Sequence, residues 1–107
     1  MITKKRKISR AMKILNKIVG SDSLSLGEFL CAIREGEEMT LAKFALQLGI
    51  SRSHLCDIEK GRKAVSLSRS IEFAEILGYS KDQFARLALQ AEVDKAKLPY
   101  KVYFEAA

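Results

Sequence analysis

Apolar residues recur at intervals of three and four along most of the chain, in segments that are separated by glycine and by short polar stretches. This spacing places side chains on one face of an α-helix, so each segment predicts an amphipathic helix. The first such segment runs from Ile8 to Val19, and lysine and arginine cover its other face. We expect it to be an appended helix, which the serine-rich stretch 21–25 joins to a helical body.

The body carries start and stop signals for five helices. Ser25 and Glu28 have the spacing of a capping box, in which two side chains satisfy backbone N–H groups at a helix start, and Ser80 and Gln83 repeat that spacing. Thr40 offers an N-cap hydroxyl in the same way, as does Ser51, and glycine follows the first four predicted helices. The side chains that we expect to face inward are Leu26, Phe29, Leu30, Ile33, Leu41, Phe44, Ala45, Leu48, Leu55, Ile58, Leu67, Ile71, Phe73, Ala74, Ile76, Leu77, Phe84, Leu87, Ala88 and Ala91.

The last residues follow a different pattern. After Pro99, the side chains of Tyr100, Val102 and Phe104 alternate with those of their neighbours, and a period of two with aromatic residues favours a short β-strand. A lone strand cannot satisfy its own backbone groups. We therefore expect residues 98–107 to pair with the same strand of a second copy in a homodimer, and a flexible tail is the alternative.

The net charge of +6 is concentrated near the N-terminus, because residues 1–20 hold seven lysine and arginine residues and no acidic one. The rest of the chain is close to neutral. A basic arm over residues 1–22 suits a polyanion, either nucleic acid or an acidic membrane surface, and a solubilising leader is the plain alternative.

Several classes of function lack support in the sequence. A single histidine, and no nucleophile beside a base, argue against an enzyme, and we expect no cofactor. Cys31 and Cys56 are too few and too far apart for a metal site or a disulfide framework. We expect both to act as small space-filling residues, and we expect the protein to be in a reducing, cytoplasmic compartment. No apolar run is long enough to span a membrane. The three tyrosines do not form the stacking platform of a single-strand RNA binder.

The centre of the chain predicts a helix-turn-helix unit, since only residues 49–51 separate two short helices. In such a unit the second helix, here from about Ser51 to Lys60, fits the major groove of duplex DNA. The runs 39–45 (MTLAKFA), 48–53 (LGISRS) and 58–62 (IEKGR) resemble the Xre class of Cro/cI-like repressors, and the resemblance extends from about Leu26 to Phe84.

The resemblance implies an all-α, five-helix DNA-binding bundle over residues 23–97, flanked here by the N-terminal arm and the C-terminal strand. It also implies sequence-specific binding of double-stranded DNA as a dimer, in a transcriptional regulator that is typically a repressor. An antitoxin of the HigA type, which binds a small toxin and represses its own operon, is the alternative with the same domain.

Carried over residue by residue, the family's site falls on three groups of side chains. An ion pair between Arg34 and Glu59 is expected to orient the scaffold. Asp57 is expected to accept from a base, although it could instead orient Arg52 or Lys60. The family's usual phosphate-clamping Gln is Leu41 in this chain, which removes one phosphate contact. The expected base contacts are Arg52, Ser53, Asp57 and His54, and the expected phosphate contacts are Thr40, Ser51, Lys60, Arg62 and Lys63.

Overall fold

The computed structural model describes residues 24–105 and residue 107. Five α-helices account for the regular structure of this part of the chain, which contains no strand. No helix in it is long and apolar enough to cross a membrane. The predicted helix over Ile8 to Val19 and the basic arm lie outside the described residues. The helices are α1 (Leu26–Gly36), α2 (Leu41–Leu48), α3 (Arg52–Glu59), α4 (Leu67–Leu77) and α5 (Lys81–Lys95).

Every helix begins directly after a serine or threonine whose hydroxyl accepts the backbone N–H three residues later. At Ser25 the capping box is complete, because Glu28 also accepts the backbone N–H of Ser25 at 2.9 Å. At Ser80 only the bond from the backbone N–H of Gln83 is present among the described residues, so the second predicted capping box is half formed. These local bonds set where each helix starts.

The described residues fall into two compact units that divide between Lys63 and Ala64. In the first unit α3 packs against both α1 and α2, and Phe29, Leu30, Phe44 and Leu55 are at most 2% exposed. These side chains belong to the predicted inward set, which is confirmed for this unit except at Leu41, where burial is only partial.

The second unit consists of α4, α5 and the C-terminal residues. The two helices pack against each other, and Phe73, Ala74 and Phe84 are at most 1% exposed. Leu67 and Ile76 are 44% and 45% exposed, so the prediction that they face inward is wrong. Burial is only partial at Ile71, Leu77 and Ala91. Ser70 is fully buried at the start of α4, where its hydroxyl donates to the backbone carbonyl of Leu67 at 2.6 Å.

The predicted C-terminal strand is not found, because the residues after Pro99 form no strand in the described chain. The side-chain amide of Gln90 on α5 forms hydrogen bonds with their backbone groups instead. Its Nε2 donates to the carbonyl of Tyr100 at 2.9 Å, and its Oε1 accepts from the N–H of Val102 at 2.8 Å. Phe104 is 43% exposed. A side chain of the same molecule therefore satisfies backbone groups that the sequence interpretation assigned to a second copy.

Candidate nucleic-acid interface

Helices α2 and α3 form a helix-turn-helix unit with a tight turn. Gly49 ends α2 in the left-handed conformation, with a φ of 75° that a residue bearing a Cβ rarely adopts. The next backbone N–H, that of Ile50, donates to the carbonyl of Ala45 at 3.0 Å. Ser51 then caps α3 by accepting the N–H of His54 at 3.1 Å. The turn therefore closes within three residues, as the sequence predicts.

Helix α3 has one buried and one exposed side. Leu55 and Ile58 are at most 3% exposed and attach the helix to its unit. Arg52 and Ser53, in the first turn, are exposed, and His54 is half-buried. The polar side of α3 is thus open to solvent at the end where the helix begins.

A close backbone contact joins α1 to the C-terminal end of α3. Gly27 faces the backbone of Ile58, and a Cβ at Gly27 would overlap the carbonyl oxygen of Ile58 and lie 3.4 Å from the Cα of Glu59. The absence of a side chain at Gly27 lets the two helices approach at this point. Sequence reasoning missed this contact, although a glycine inside an otherwise helical segment is the available signal.

Arg34 and Glu59 join the same two helices through their side chains. The Nε of Arg34 donates to Oε2 of Glu59 at 2.8 Å and its Nη2 donates to Oε1 at 3.0 Å, which is a bidentate pair. The side chains are only 16% and 6% exposed. The Nη1 of Arg34 also donates to the carbonyl of Met39 at 3.1 Å, so one guanidinium ties α1, the loop before α2 and the end of α3 together.

Cys31 lies beside this ion pair. The Nη2 of Arg34 approaches its Sγ at 3.8 Å. Burial raises the pKa of the Cys31 thiol, and the nearby carboxylate of Glu59 raises it further, because both disfavour a thiolate. The hydrogen bond that Arg34 donates to Glu59 raises the pKa of the Arg34 guanidinium. The thiol is therefore neutral and fits a space-filling role better than a reactive one.

Asp57 on α3 is engaged with the loop that follows the helix. Its Oδ1 accepts from Nε of Arg62 at 2.9 Å, and this hydrogen bond raises the pKa of the arginine. The sequence interpretation offered Arg52 and Lys60 as partners for Asp57, whereas the partner in the structure is Arg62. The remaining basic side chains of this loop, Lys60 and Lys63, are exposed.

The expected phosphate-contacting hydroxyls lie at helix starts. Thr40 caps α2 by accepting the N–H of Lys43 at 3.1 Å, as Ser51 does for α3. Each hydroxyl acts as an acceptor in its cap, and its own O–H is still able to donate. Both residues are exposed.

A helix-turn-helix family model matches residues 32–84, which include α2, the turn and α3. The chain belongs to the Xre class of helix-turn-helix proteins. This Xre-class assignment supports sequence-specific DNA binding by a transcriptional regulator. No curated protein and no solved structure shows significant similarity to the chain.

Proposed function

We propose that this chain is a dimeric repressor that inserts α3 into the major groove of its operator. The observation that carries the proposal is the division of α3 into a buried side, with Leu55 and Ile58, and an exposed side that begins with Arg52 and Ser53. The major groove of B-DNA admits one α-helix, and a recognition helix reads bases with its first residues.

The exposed residues of the first turn suit base edges. Arg52 carries a planar guanidinium that is able to donate two hydrogen bonds to the O6 and N7 of a guanine. Ser53 can donate to or accept from a base through its hydroxyl. His54 lies next to them and is half-buried, which places it at the border of this surface. We therefore assign base contacts to Arg52 and Ser53, with His54 touching a base or a phosphate.

Phosphate contacts are assigned to residues at the starts of α2 and α3 and in the loop after α3. Lys60 and Lys63 are exposed in the loop after α3, and their charges are suited to the DNA backbone. Thr40 and Ser51 offer hydroxyl donors at the helix starts. Such contacts fix the orientation of α3 on the duplex without reading its sequence.

A homodimer fits this function, because one short helix reads only a few base pairs and a two-fold pair reads two half-sites. We propose the dimer without the strand exchange that the sequence suggested. Sedimentation of the full chain with and without its operator tests the dimer, and a monomer that binds a single half-site would contradict it.

Selection of bound duplexes from a random library tests the function itself. We expect an inverted repeat whose half-sites lie about one helical turn, or 34 Å, apart. Arg52→Ala is expected to cost about 1–3 kcal/mol of binding and to relax the preference at one base pair of each half-site. Lys95→Ala, at an exposed position in the last turn of α5, is the matched loss of one charge. An equal effect of both variants at every position would contradict base reading by Arg52.

An antitoxin role remains the second candidate, and the C-terminal residues favour it. Leu98, Tyr100, Tyr103 and Phe104 are between 43% and 76% exposed, which is a large apolar area for a segment of seven residues. Such side chains suit contact with a protein partner. Co-expression with the product of the neighbouring reading frame tests this role. The chain should relieve a growth defect caused by that product, and a variant with polar residues at these four positions should not.

A further inference from the structure

All five helices of the described chain end in the same backbone motif. A residue shortly after each helix adopts a positive φ, and these residues are Glu38, Gly49, Gly61, Gly78 and Lys97. In each case the N–H of the next residue donates to the carbonyl five residues before it. This is the Schellman motif, in which an apolar contact between those two residues frequently accompanies the backbone bond.

The motif at the end of α3 differs from the other four in its side chains. The two positions are apolar after α2 (Ala45 and Ile50), after α4 (Ala74 and Tyr79) and after α5 (Val93 and Leu98). After α1 they are Arg34 and Met39, and the Arg34 guanidinium is paired with Glu59. After α3 they are Asp57 and Arg62, and among the five described helices only this pair is joined by an ion pair. Helix α3 is the helix that we assign to the groove.

Asp57 holds Arg62 by backbone and side chain together. Its carbonyl accepts the N–H of Arg62 at 2.7 Å and that of Lys63 at 3.2 Å, while its Oδ1 accepts the Nε of Arg62 at 2.9 Å. The Nη2 of Arg62 also lies 3.9 Å from the Sγ of Cys56. Four contacts therefore fix the loop and its guanidinium over the last turn of α3.

The fixed guanidinium lies in line with the exposed first turn of α3. Asp57 is four residues after Ser53, so the two residues share one face of the helix. The side chain of Arg62 is 59% exposed, that of Asp57 only 30%, and the Nη1 of Arg62 has no hydrogen-bond partner within the described residues. Within this pair, the positive side chain of Arg62 is thus the one that is more exposed to solvent, and the negative side chain of Asp57 is the more buried one.

We propose that Asp57 is a positioning residue, which holds the Arg62 guanidinium against a DNA phosphate and does not itself read a base. The proposal rests on the function proposed above and changes the role expected of Asp57 from the sequence. A flexible arginine loses conformational entropy when it binds a phosphate. An arginine that is already held in place loses less, so its contact contributes more to the affinity for DNA. Since Oδ1 of Asp57 is bound to Arg62, a base contact by Asp57 would have to be made by its other oxygen, Oδ2.

The direction in which removal of the Asp57 carboxylate changes the affinity for DNA separates this role from simple electrostatic repulsion. A carboxylate near the DNA backbone repels phosphates, so its removal alone should tighten binding. If Asp57 acts by holding Arg62, its removal should weaken binding although it removes a negative charge. The same removal should then have little effect once Arg62 is absent.

The experiment is a double-mutant cycle, in which the affinity of the full chain for its selected duplex is measured by fluorescence anisotropy at several salt concentrations. The variants are Asp57→Ala, Arg62→Ala and the double variant, with Asp57→Asn to restore an acceptor for Nε. Glu75→Ala breaks the ion pair with Lys81, whose exposure of 60% is close to the 59% of Arg62, and is the matched control on other helices. Thermal unfolding of each variant shows that it is folded under the conditions of the assay.

We expect Asp57→Ala to weaken binding by about tenfold in the natural background and by less than about twofold beside Arg62→Ala. Arg62→Ala should weaken binding evenly across duplex sequences and lower the slope of log K against log salt by about 1. Asp57→Asn should recover part of the loss, and Glu75→Ala should change little.

Three results would overturn the proposal. Tighter binding by Asp57→Ala would show that the carboxylate only repels DNA. An equal loss in both backgrounds, with a changed preference at one base pair, would show that Asp57 reads a base. A wild-type chain that binds no selected duplex would overturn the proposed function, and this assignment with it.

Discussion

The ion pair between Arg34 and Glu59 makes a sharp prediction about stability. Arg34→Ala removes two charge-assisted bonds and the bond to the carbonyl of Met39, and it leaves the Glu59 carboxylate, which is 6% exposed in the intact pair, without its partner. Loss of one partner from a buried pair typically costs 3–5 kcal/mol, because the other charge stays out of water. We expect Arg34→Ala to cost about 4 kcal/mol of the free energy of unfolding.

Glu59→Ala should cost less than Arg34→Ala. The Arg34 side chain is 16% exposed and keeps its bond to Met39, so its charge is better solvated after the loss of its partner than that of Glu59 would be. We expect a loss of about 3 kcal/mol. Since a domain of this size is stabilised by about 5–15 kcal/mol, either variant should remain folded at low temperature, and each should unfold much more readily.

Replacing both residues by apolar side chains of similar size should be far less costly than either truncation. No charge is then left buried, and such exchanges are often neutral or stabilising. Urea unfolding of Arg34→Ala, Glu59→Ala and the double variant Arg34→Met, Glu59→Leu, followed by circular dichroism, measures the three free energies. If the single variants cost less than about 1 kcal/mol, the pair behaves as an exposed one and this reasoning is refuted. A double variant as unstable as Arg34→Ala would also refute it.

Three further substitutions test features of the two units. Gly27→Ala should cost about 1–3 kcal/mol in thermal unfolding despite the better helix propensity of alanine, because its Cβ meets the carbonyl of Ile58, and a stabilised variant would contradict the contact. The raised pKa of Cys31 means that the folded state keeps a proton which the unfolded chain releases, so stability should fall as the pH rises above the ordinary thiol value of 9.0. Urea unfolding of Cys31→Ser over the same pH range should lack that fall, and an identical pH dependence would exclude this thiol as its source. Gln90→Ala should speed trypsin cleavage after Lys101, because it frees the backbone on both sides of that residue, and unchanged cleavage would show that other contacts hold the segment.

The helices and their boundaries could be predicted from the sequence because their signals are local. A serine or threonine hydroxyl acts within three residues of the helix start, and Gly49 and Gly78 act on the residues beside them. The inward set followed from a period that the backbone imposes. Leu67 was placed wrongly, since the first turn of a helix can satisfy the period and still lie in solvent.

The C-terminal residues could not be predicted in the same way. Alternation of side chains is a property of any extended chain, and the pattern does not say what accepts the backbone hydrogen bonds. Gln90 lies ten residues before Tyr100 and carries a donor and an acceptor in one amide, which satisfies two backbone groups without a second strand. Nothing in the local pattern indicates this contact.

The sequence predicted where the candidate site lies along the chain, but it predicted fewer of the contacts between its residues. The residues of the turn and of the first turn of α3 follow from the spacing and from the family resemblance. The partner of Asp57 was missed, although Gly61 offered a signal, since a left-handed glycine after a helix brings the next residue back over the last turn. The contact of Gly27 needed the crossing of α1 and α3, which is a tertiary feature.

The contact of Gly27 with Ile58 has a consequence for altering what this protein recognises. The C-terminal end of α3 is held by the backbone contact with Gly27 and by the ion pair of Glu59. Arg52 and Ser53 lie at the N-terminal end of the helix and take no part in these contacts. Residues at those two positions can therefore be randomised in a library with the support of the helix retained. Variants of this protein could therefore differ in the bases that they recognise and still hold α3 in the same position.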